Sequence, residues 1–229
     1  MDRTKEFLST ISHEIRTPLT SIKGFSKTIL DSYDNLTDEQ KKKFIKIIFE
    51  QSQRLINLVE NALTAADSDM EYNNLVFKKT EINSILLKSI ELVKMNYKDK
   101  VYLTDLKGEI FSSLDVDKLQ QIFVNVLDNA SKYSINSNKI EIKTSSDNEN
   151  NYISIKNFGI TINEEQKQKI FDKFYRIDSY LTSKTQGSGL GLYIVNMLVK
   201  KMGGTITVNS KEGGNSYTDF QISFPVFKL

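Results

Sequence analysis

Over the first 67 residues, apolar positions recur every three or four places. Phe7, Leu8, Ile11, Ile15, Leu19, Ile22, Phe25 and Ile29 form one stripe, and Phe44, Ile47, Ile48, Leu55, Ile56, Val59 and Leu63 form another. That period predicts two amphipathic helices. Asp31-Ser32-Tyr33-Asp34-Asn35 interrupts it, and Thr37-Asp38-Glu39-Gln40 then reads as a capping box that starts the second helix. Two helices cannot enclose a core, so the pattern predicts a helical hairpin that pairs with a second copy into a dimeric four-helix bundle. A plain coiled-coil spacer is the competing reading. Pro18 argues against the spacer. Inside a helix it removes a hydrogen bond and crowds the carbonyl of Glu14, at a cost of about 3 kcal/mol.

Residues 68–74 are polar and break the helical period, which marks a linker between residues 1–67 and 75–229. Beyond it the periods are mixed. Leu75–Phe77, Val101–Leu103 and Ile110–Phe111 read as strands, and Thr80 to about Tyr97 reads as a helix. Asp115 caps a helix reaching Tyr133. Ile140–Lys143 and Tyr152–Lys156 alternate like a hairpin around a polar tip. A short helix near Glu164–Phe171, a longer one from about Leu190 to Met202, and closing strands at Thr205–Asn209 and Tyr217–Phe224 complete the pattern. The chain is therefore α+β, with a helical hairpin followed by an α/β sandwich that stacks helices on one face of a largely antiparallel sheet.

Composition removes several function classes. Net charge is +2 and no basic block carries interleaved aromatics, so nucleic acid is not an expected partner. There is no cysteine and only one histidine, which excludes disulfides, thiolate chemistry and a His-cluster metal site. No apolar run approaches the roughly 20 residues needed to cross a bilayer, and no signal peptide is visible. This portion is expected to be cytoplasmic without membrane contact, which leaves room for a sensor or membrane anchor upstream.

Candidate chemistry lies in three places. His13 is the one side chain whose ordinary titration falls between pH 5 and 8. It sits in Ser12-His13-Glu14-Ile15-Arg16-Thr17-Pro18-Leu19, beside an acid and four residues before a threonine. On the helix after Asp115, Gln121, Asn125 and Asn129 are four apart and share a face that Lys132 and Tyr133 continue. Carboxamides are poor helix formers, so this is either a solvated face or a lined site. As a site it offers neutral amide oxygens suited to Mg²⁺ that already carries phosphate, and a lysine for phosphate itself. Gln186-Gly187-Ser188-Gly189-Leu190-Gly191-Leu192 opens a helix, where glycines admit close backbone approach and free amides favour phosphate. It follows Ile170-Phe171-Asp172-Lys173-Phe174-Tyr175-Arg176 and a polar loop, a layout suited to a lid with aromatic anchors.

In this order and at these intervals, the motifs resemble those of the sensor histidine kinases over nearly the whole chain. Ser12–Leu19 looks like the H-box and Asn125–Tyr133 like the N-box. Phe171–Arg176 looks like the F-box, and Gly187–Gly191 like the second glycine box. Met202–Ile206 and Thr218–Pro225 match the strands that close the nucleotide domain. The resemblance implies a dimerisation and phosphoacceptor hairpin joined to an ATP-binding domain of the gyrase/chaperone/kinase (Bergerat) type. It implies that His13 is phosphorylated from ATP, that Glu14 helps draw off the imidazole proton, and that a response-regulator receiver domain accepts the phosphoryl group. Asn129 would hold Mg²⁺, with Asn125 in support. Lys132 and Arg176 would face phosphates, and Tyr133 would line the pocket. Gly187, Gly189 and Gly191 would form the lid hinge, and Asn157, Gly159, Leu192 and Thr218 complete the implied nucleotide set. Thr17 matches the position that orients water for dephosphorylating the regulator, which implies a phosphatase activity as well.

One stretch departs from the family. The first glycine box, Asp-x-Gly-x-Gly, is here Asn157-Phe158-Gly159-Ile160-Thr161. Asn157 keeps an acceptor oxygen, loses the charge and can flip to present a donor. Weakening one charge-assisted hydrogen bond costs on the order of 1 kcal/mol, about tenfold in ATP affinity. Thr161 stiffens the loop. These changes favour the alternative of a pseudokinase or phosphatase-dominant regulatory dimer. An ATPase of the chaperone or gyrase type is disfavoured, because a phosphoacceptor helix would be superfluous to it.

Overall fold

A computed structural model describes residues 3–66, 75–177 and 188–228. The chain divides into two compact units, Met1–Asp67 and Ser68–Leu229.

The first unit is two long helices, α1 (Arg3–Ser32) and α2 (Asp38–Ala66), joined by a single 3₁₀ turn at Tyr33–Asn35. The expected capping box is present. The Thr37 amide donates to Gln40 Oε1 at 2.9 Å, and the Gln40 amide donates to Thr37 Oγ1 at 3.2 Å. Phe25 stacks on Phe44 with ring centroids 5.2 Å apart, and Arg54 pairs with Glu14 at 3.5 Å, so the arms run antiparallel. Helix α1 continues through Pro18 without a break. Among the described residues of this unit only Pro18 and Leu58 are buried. Ile45, Phe49, Ile56 and Leu63, spaced along one face of α2, are 49–62% exposed. A two-helix unit has no second layer to cover that stripe.

The second unit is built on a five-stranded sheet in the order β2-β4-β5-β7-β6. Its strands are β2 (Val101–Asp105), β4 (Lys139–Ser146), β5 (Asn150–Asn157), β6 (Thr205–Lys211) and β7 (Tyr217–Pro225). Only the β2–β4 pairing is parallel. Alternation decides which side is covered: Ile153 and Ile155 are buried while Tyr152, Ser154 and Lys156 are not. Helix α4 (Val116–Tyr133) packs on β5, between α3 (Ile82–Lys94) and α6 (Gly191–Lys201). Leu119, Ile122, Phe123, Val126, Leu127 and Ala130 of α4 are fully buried, which fixes its polar face outward from the core. A one-turn helix, α5 (Glu164–Lys169), begins with a capping box between Asn163 and Gln166.

The first strand lies elsewhere than expected. Leu75–Phe77 is irregular, with Val76 and Phe77 57% and 49% exposed, and β1 is Lys78–Glu81, paired in a separate two-stranded sheet with β3 (Phe111–Leu114). The helix expected from Thr80 therefore starts later, at Ile82, and it ends at Lys94 rather than near Tyr97. Local chemistry accounts for this. The Thr80 hydroxyl is spent on the Lys78 and Leu114 carbonyls, and the Glu81 carboxylate caps α3 by accepting the Asn83 and Ser84 amides. Asp115 caps α4 likewise, accepting the Asp117 and Lys118 amides at 3.1 Å. Its other oxygen takes the Val76 amide at 2.9 Å.

Candidate functional site

The helix-covered face of the sheet changes character at one end. Ile142, Ile155, Phe220 and Val208 are aligned across β4, β5, β7 and β6 as an apolar row. The next row is Ile140, Asn157, Thr218 and Ser210. Its hydroxyls hold the loop after β5. Thr218 donates to the Ile160 carbonyl at 2.8 Å and lies 3.0 Å from Ser210 Oγ, which accepts the Ile162 amide at 2.9 Å. Asn157 is 1% exposed, and its Nδ2 has no partner. Gly159 lies against the end of α4, where the Tyr133 carbonyl accepts the Ile160 amide at 3.3 Å. A β-carbon at Gly159 would strike that carbonyl and come within 2.7 Å of the Ile135 amide nitrogen.

Helix α4 ends here at Tyr133, and its polar face carries Gln121, Asn125, Asn129, Lys132 and Tyr133 along its length, all half-buried beside the fully buried apolar face. Its last two turns are clamped from the segment after α3. Tyr97 donates to Asp128 at 2.9 Å, the Tyr102 and Ser131 hydroxyls are 2.8 Å apart, and the Lys100 ammonium donates to the Ser134 carbonyl at 2.7 Å. Burial and the neighbouring Asp128 carboxylate push the Tyr97 phenol well above its ordinary range, which keeps it a donor. Burial also raises the Tyr133 phenol, against the opposing charge of Arg176, whose field reaches the end of α4.

Helix α6 starts where α4 offers its amides. The Asn125 side-chain NH₂ is bound back to the Gln121 carbonyl at 2.9 Å. Its Oδ1 is aimed at the first residue of α6, and a β-carbon on Gly191 would sit 3.0 Å from it. The N-cap residue, Leu190, gives the first turn of α6 no side-chain hydrogen bond, and helix N-terminal amides of this kind suit an anion. Leu192 lies in that first turn and is half-buried. The aromatic segment before the loop is tied to the same place: the Phe174 amide donates to the Gly189 carbonyl at 3.0 Å, and Lys173 lies 4.8 Å from the Tyr193 ring centre. Gly187 falls outside the described residues.

In the helical unit His13 is exposed and Glu14 is half-buried. The Thr17 hydroxyl donates to the His13 carbonyl at 3.4 Å, one turn back. Pro18 cannot supply the amide that the Glu14 carbonyl ordinarily receives, so this turn lacks the regular ladder. Each candidate is thus placed in one of two groups: His13, Glu14 and Thr17 on α1, and the remaining described residues around the ends of α4, β5, β7 and the start of α6. Two further contributors are Ser210, signalled in the sequence only by its alternation with Ile206 and Val208, and the backbone of Phe174, which carries no sequence signal.

Residues 3–71 match the His Kinase A (phospho-acceptor) domain, and residues 114–228 match the histidine kinase-, DNA gyrase B-, and HSP90-like ATPase family. The sensor protein kinase WalK of Staphylococcus aureus is 35% identical over 212 residues, covering 91% of this chain and 51% of that protein. The chain spans about half the length, or less, of the curated relatives it matches. Among solved structures, full-length ShkA in complex with AMPPNP aligns with a TM-score of 0.67 at 25% identity, over 98% of this chain and 46% of that one. The histidine kinase ThkA, in complex with the response regulator protein TrrA, aligns with a TM-score of 0.69 at 24% identity, over 97% and 61%. With an ATPase-family domain placed behind a phospho-acceptor hairpin, the chain belongs to the sensor histidine kinases.

Proposed function

We propose that the chain is the catalytic portion of an ATP-dependent protein histidine kinase, acting in the cytoplasm, that phosphorylates His13 and passes the group to an aspartate of a response-regulator receiver domain. The observation that carries this reading is the setting of His13. The chain's one imidazole is exposed, and the carboxylate beside it is half-buried and held by Arg54. An imidazole nitrogen attacks the γ-phosphorus, a P–N bond forms, and the bond to the β–γ bridging oxygen breaks to release ADP. Glu14 takes the ring proton. The phosphoryl group then moves from nitrogen to a carboxylate oxygen of the receiver. ThkA was solved with such a regulator, and the same class of partner is proposed here.

In the nucleotide domain, the N-terminal amides of α6 receive phosphate oxygens, Lys132 and Arg176 add positive charge, and Tyr133 packs on the nucleotide. Gly189 and Gly191, with Gly187, shape the lid, Leu192 lines its base, and the end of the sheet at Asn157, Gly159 and Thr218 receives the base. Asn129 is the residue assigned to Mg²⁺, which neutralises phosphate charge when bound. Among the described residues no three His, Cys, Asp or Glu cluster to hold a metal. That fits an ion whose other ligands are phosphate oxygens and water. Thr17, a hydroxyl one turn beyond His13, is assigned to orienting water for dephosphorylation of the regulator. The exposed stripe on α2 is assigned to dimerisation into a four-helix bundle, and residues 68–74 to the linker.

The test is incubation with γ-labelled ATP and Mg²⁺ beside the His13→Gln variant. Label that is lost in acid, survives alkali and is absent from the variant is expected. Label retained by folded His13→Gln overturns the assignment.

A further inference from the structure

We propose that Asn157 makes the nucleotide site ambivalent between purines: its uncommitted amide accepts from the amino group of adenine in one orientation and donates to the carbonyl of guanine or hypoxanthine in the other. This rests on reading the polar end of the sheet as the base subsite. Three asparagine side chains are buried in the second unit. Two are locked. Asn151 donates to the Phe111 carbonyl and to Ser112 Oγ, and accepts from Ser146. Asn83 donates to the Lys107 and Gly108 carbonyls, which fixes its orientation although its Oδ1 is buried without a partner.

Asn157 differs from both. No hydrogen bond from the described residues engages its Oδ1, and its Nδ2 is buried without a partner. The polar residues of its cross-strand row are already used. Thr218 is bound to Ile160 and Ser210, and Ser210 in turn accepts from Ile162. A flip of the amide therefore breaks no bond, and the ligand decides which end it meets.

The chemistry separates this residue from a carboxylate. A carboxylate only accepts, so it pairs with an exocyclic amino group and repels the lone pairs of a purine carbonyl. That unpaired contact is the kind that gives strong rejection. An amide presents an acceptor or a donor in the same volume. The position is otherwise unyielding, since Asn157 follows Ile153 and Ile155 on the covered face and lies between Ile140 and Thr218. The fixed backbone leaves only the amide's orientation to vary, and either orientation suits one class of purine 6-substituent.

The experiment is displacement of a fluorescent trinitrophenyl-ATP analogue by ATP, GTP and ITP, with the whole chain and with Asn157→Asp. For the natural chain, GTP and ITP are expected to bind within about tenfold of ATP. In Asn157→Asp the gap is expected to widen by about tenfold or more, with ATP tighter and GTP weaker. Rejection of GTP by about a hundredfold in the natural chain, with ATP bound, overturns the proposal and leaves the kinase reading standing. An unchanged ATP-to-GTP ratio in a folded Asn157→Asp also overturns it. If that variant does not fold, the natural chain's ratio decides alone. Failure of the folded chain to bind the analogue at all overturns the nucleotide reading, and this inference with it.

Discussion

Phe174 and Gly189 both turn through the left-handed backbone region, at φ 65° and 69°, and the Phe174 amide donates to the Gly189 carbonyl across 3.0 Å. A β-carbon on Gly189 would lie 2.7 Å from the Phe174 carbonyl carbon. The aromatic segment and the glycine turn before α6 thus form one backbone clasp that tolerates no side chain at its centre.

Gly189→Ala is expected to spring that clasp. A left-handed alanine costs about 1–2 kcal/mol, and the close approach adds to it. Nucleotide affinity, read by displacement of the fluorescent analogue, should fall about tenfold or more. The far-ultraviolet circular dichroism should stay unchanged, because the sheet and α4 do not depend on the clasp.

Acid should loosen α3. Burial raises the Glu81 carboxyl, but hydrogen bonds from the Ser84 side chain and amide and from the Asn83 and Ile110 amides outweigh it, and the net value lies below the ordinary range. A carboxyl with a lowered native pKa adds stability that is complete above the unfolded value and disappears as pH falls through the native one. Glu81→Ala should destabilise the second unit by about 1 kcal/mol at neutral pH. In denaturant melts, the gap between variant and natural chain should close below the carboxylate range.

The α2 stripe gives a third expectation. Ile56 is 49% exposed in the single hairpin. Ile56→Glu should convert a dimer into a monomer by light scattering, because a buried unpaired carboxylate is strongly unfavourable. An unchanged dimer mass would place the contact elsewhere.

Thr17→Ala should leave label on His13 close to that of the natural chain and slow release of phosphate from the phosphorylated regulator. Among the described residues the hydroxyl bonds only to a backbone carbonyl of its own helix, and Thr17 is exposed. Equal loss of both activities would mark it as a structural residue.

What the sequence made legible follows the range of the interaction. The hairpin break and the Thr37–Gln40 box are local chemistry, and both were readable. So were the α4 amides, because helical spacing puts them on one face. The β1 strand was misplaced because Lys78–Glu81 is polar. Its pairing partner Phe111–Leu114 lies some thirty residues on, and no local period reports it. Asn157 and Thr218 could each be singled out by motif. Their side-by-side placement depends on the β5–β7 register, a contact across 61 positions that only the fold supplies. The left-handed turn at Phe174 has no signature, since a bulky residue ordinarily avoids that conformation.

Asp115 holds the first turn of α4 with one oxygen and the Val76 amide with the other. In mechanical terms, that carboxylate is a cleat. It fastens the chain at Val76, just ahead of β1, to the first turn of α4. That fastening lies at the opposite end of α4 from Asn129 and Tyr133, on a rod whose far turns are bolted by Tyr97, Tyr102 and Lys100. The backbone at Val76 is therefore moored to the same helix that carries the amide face.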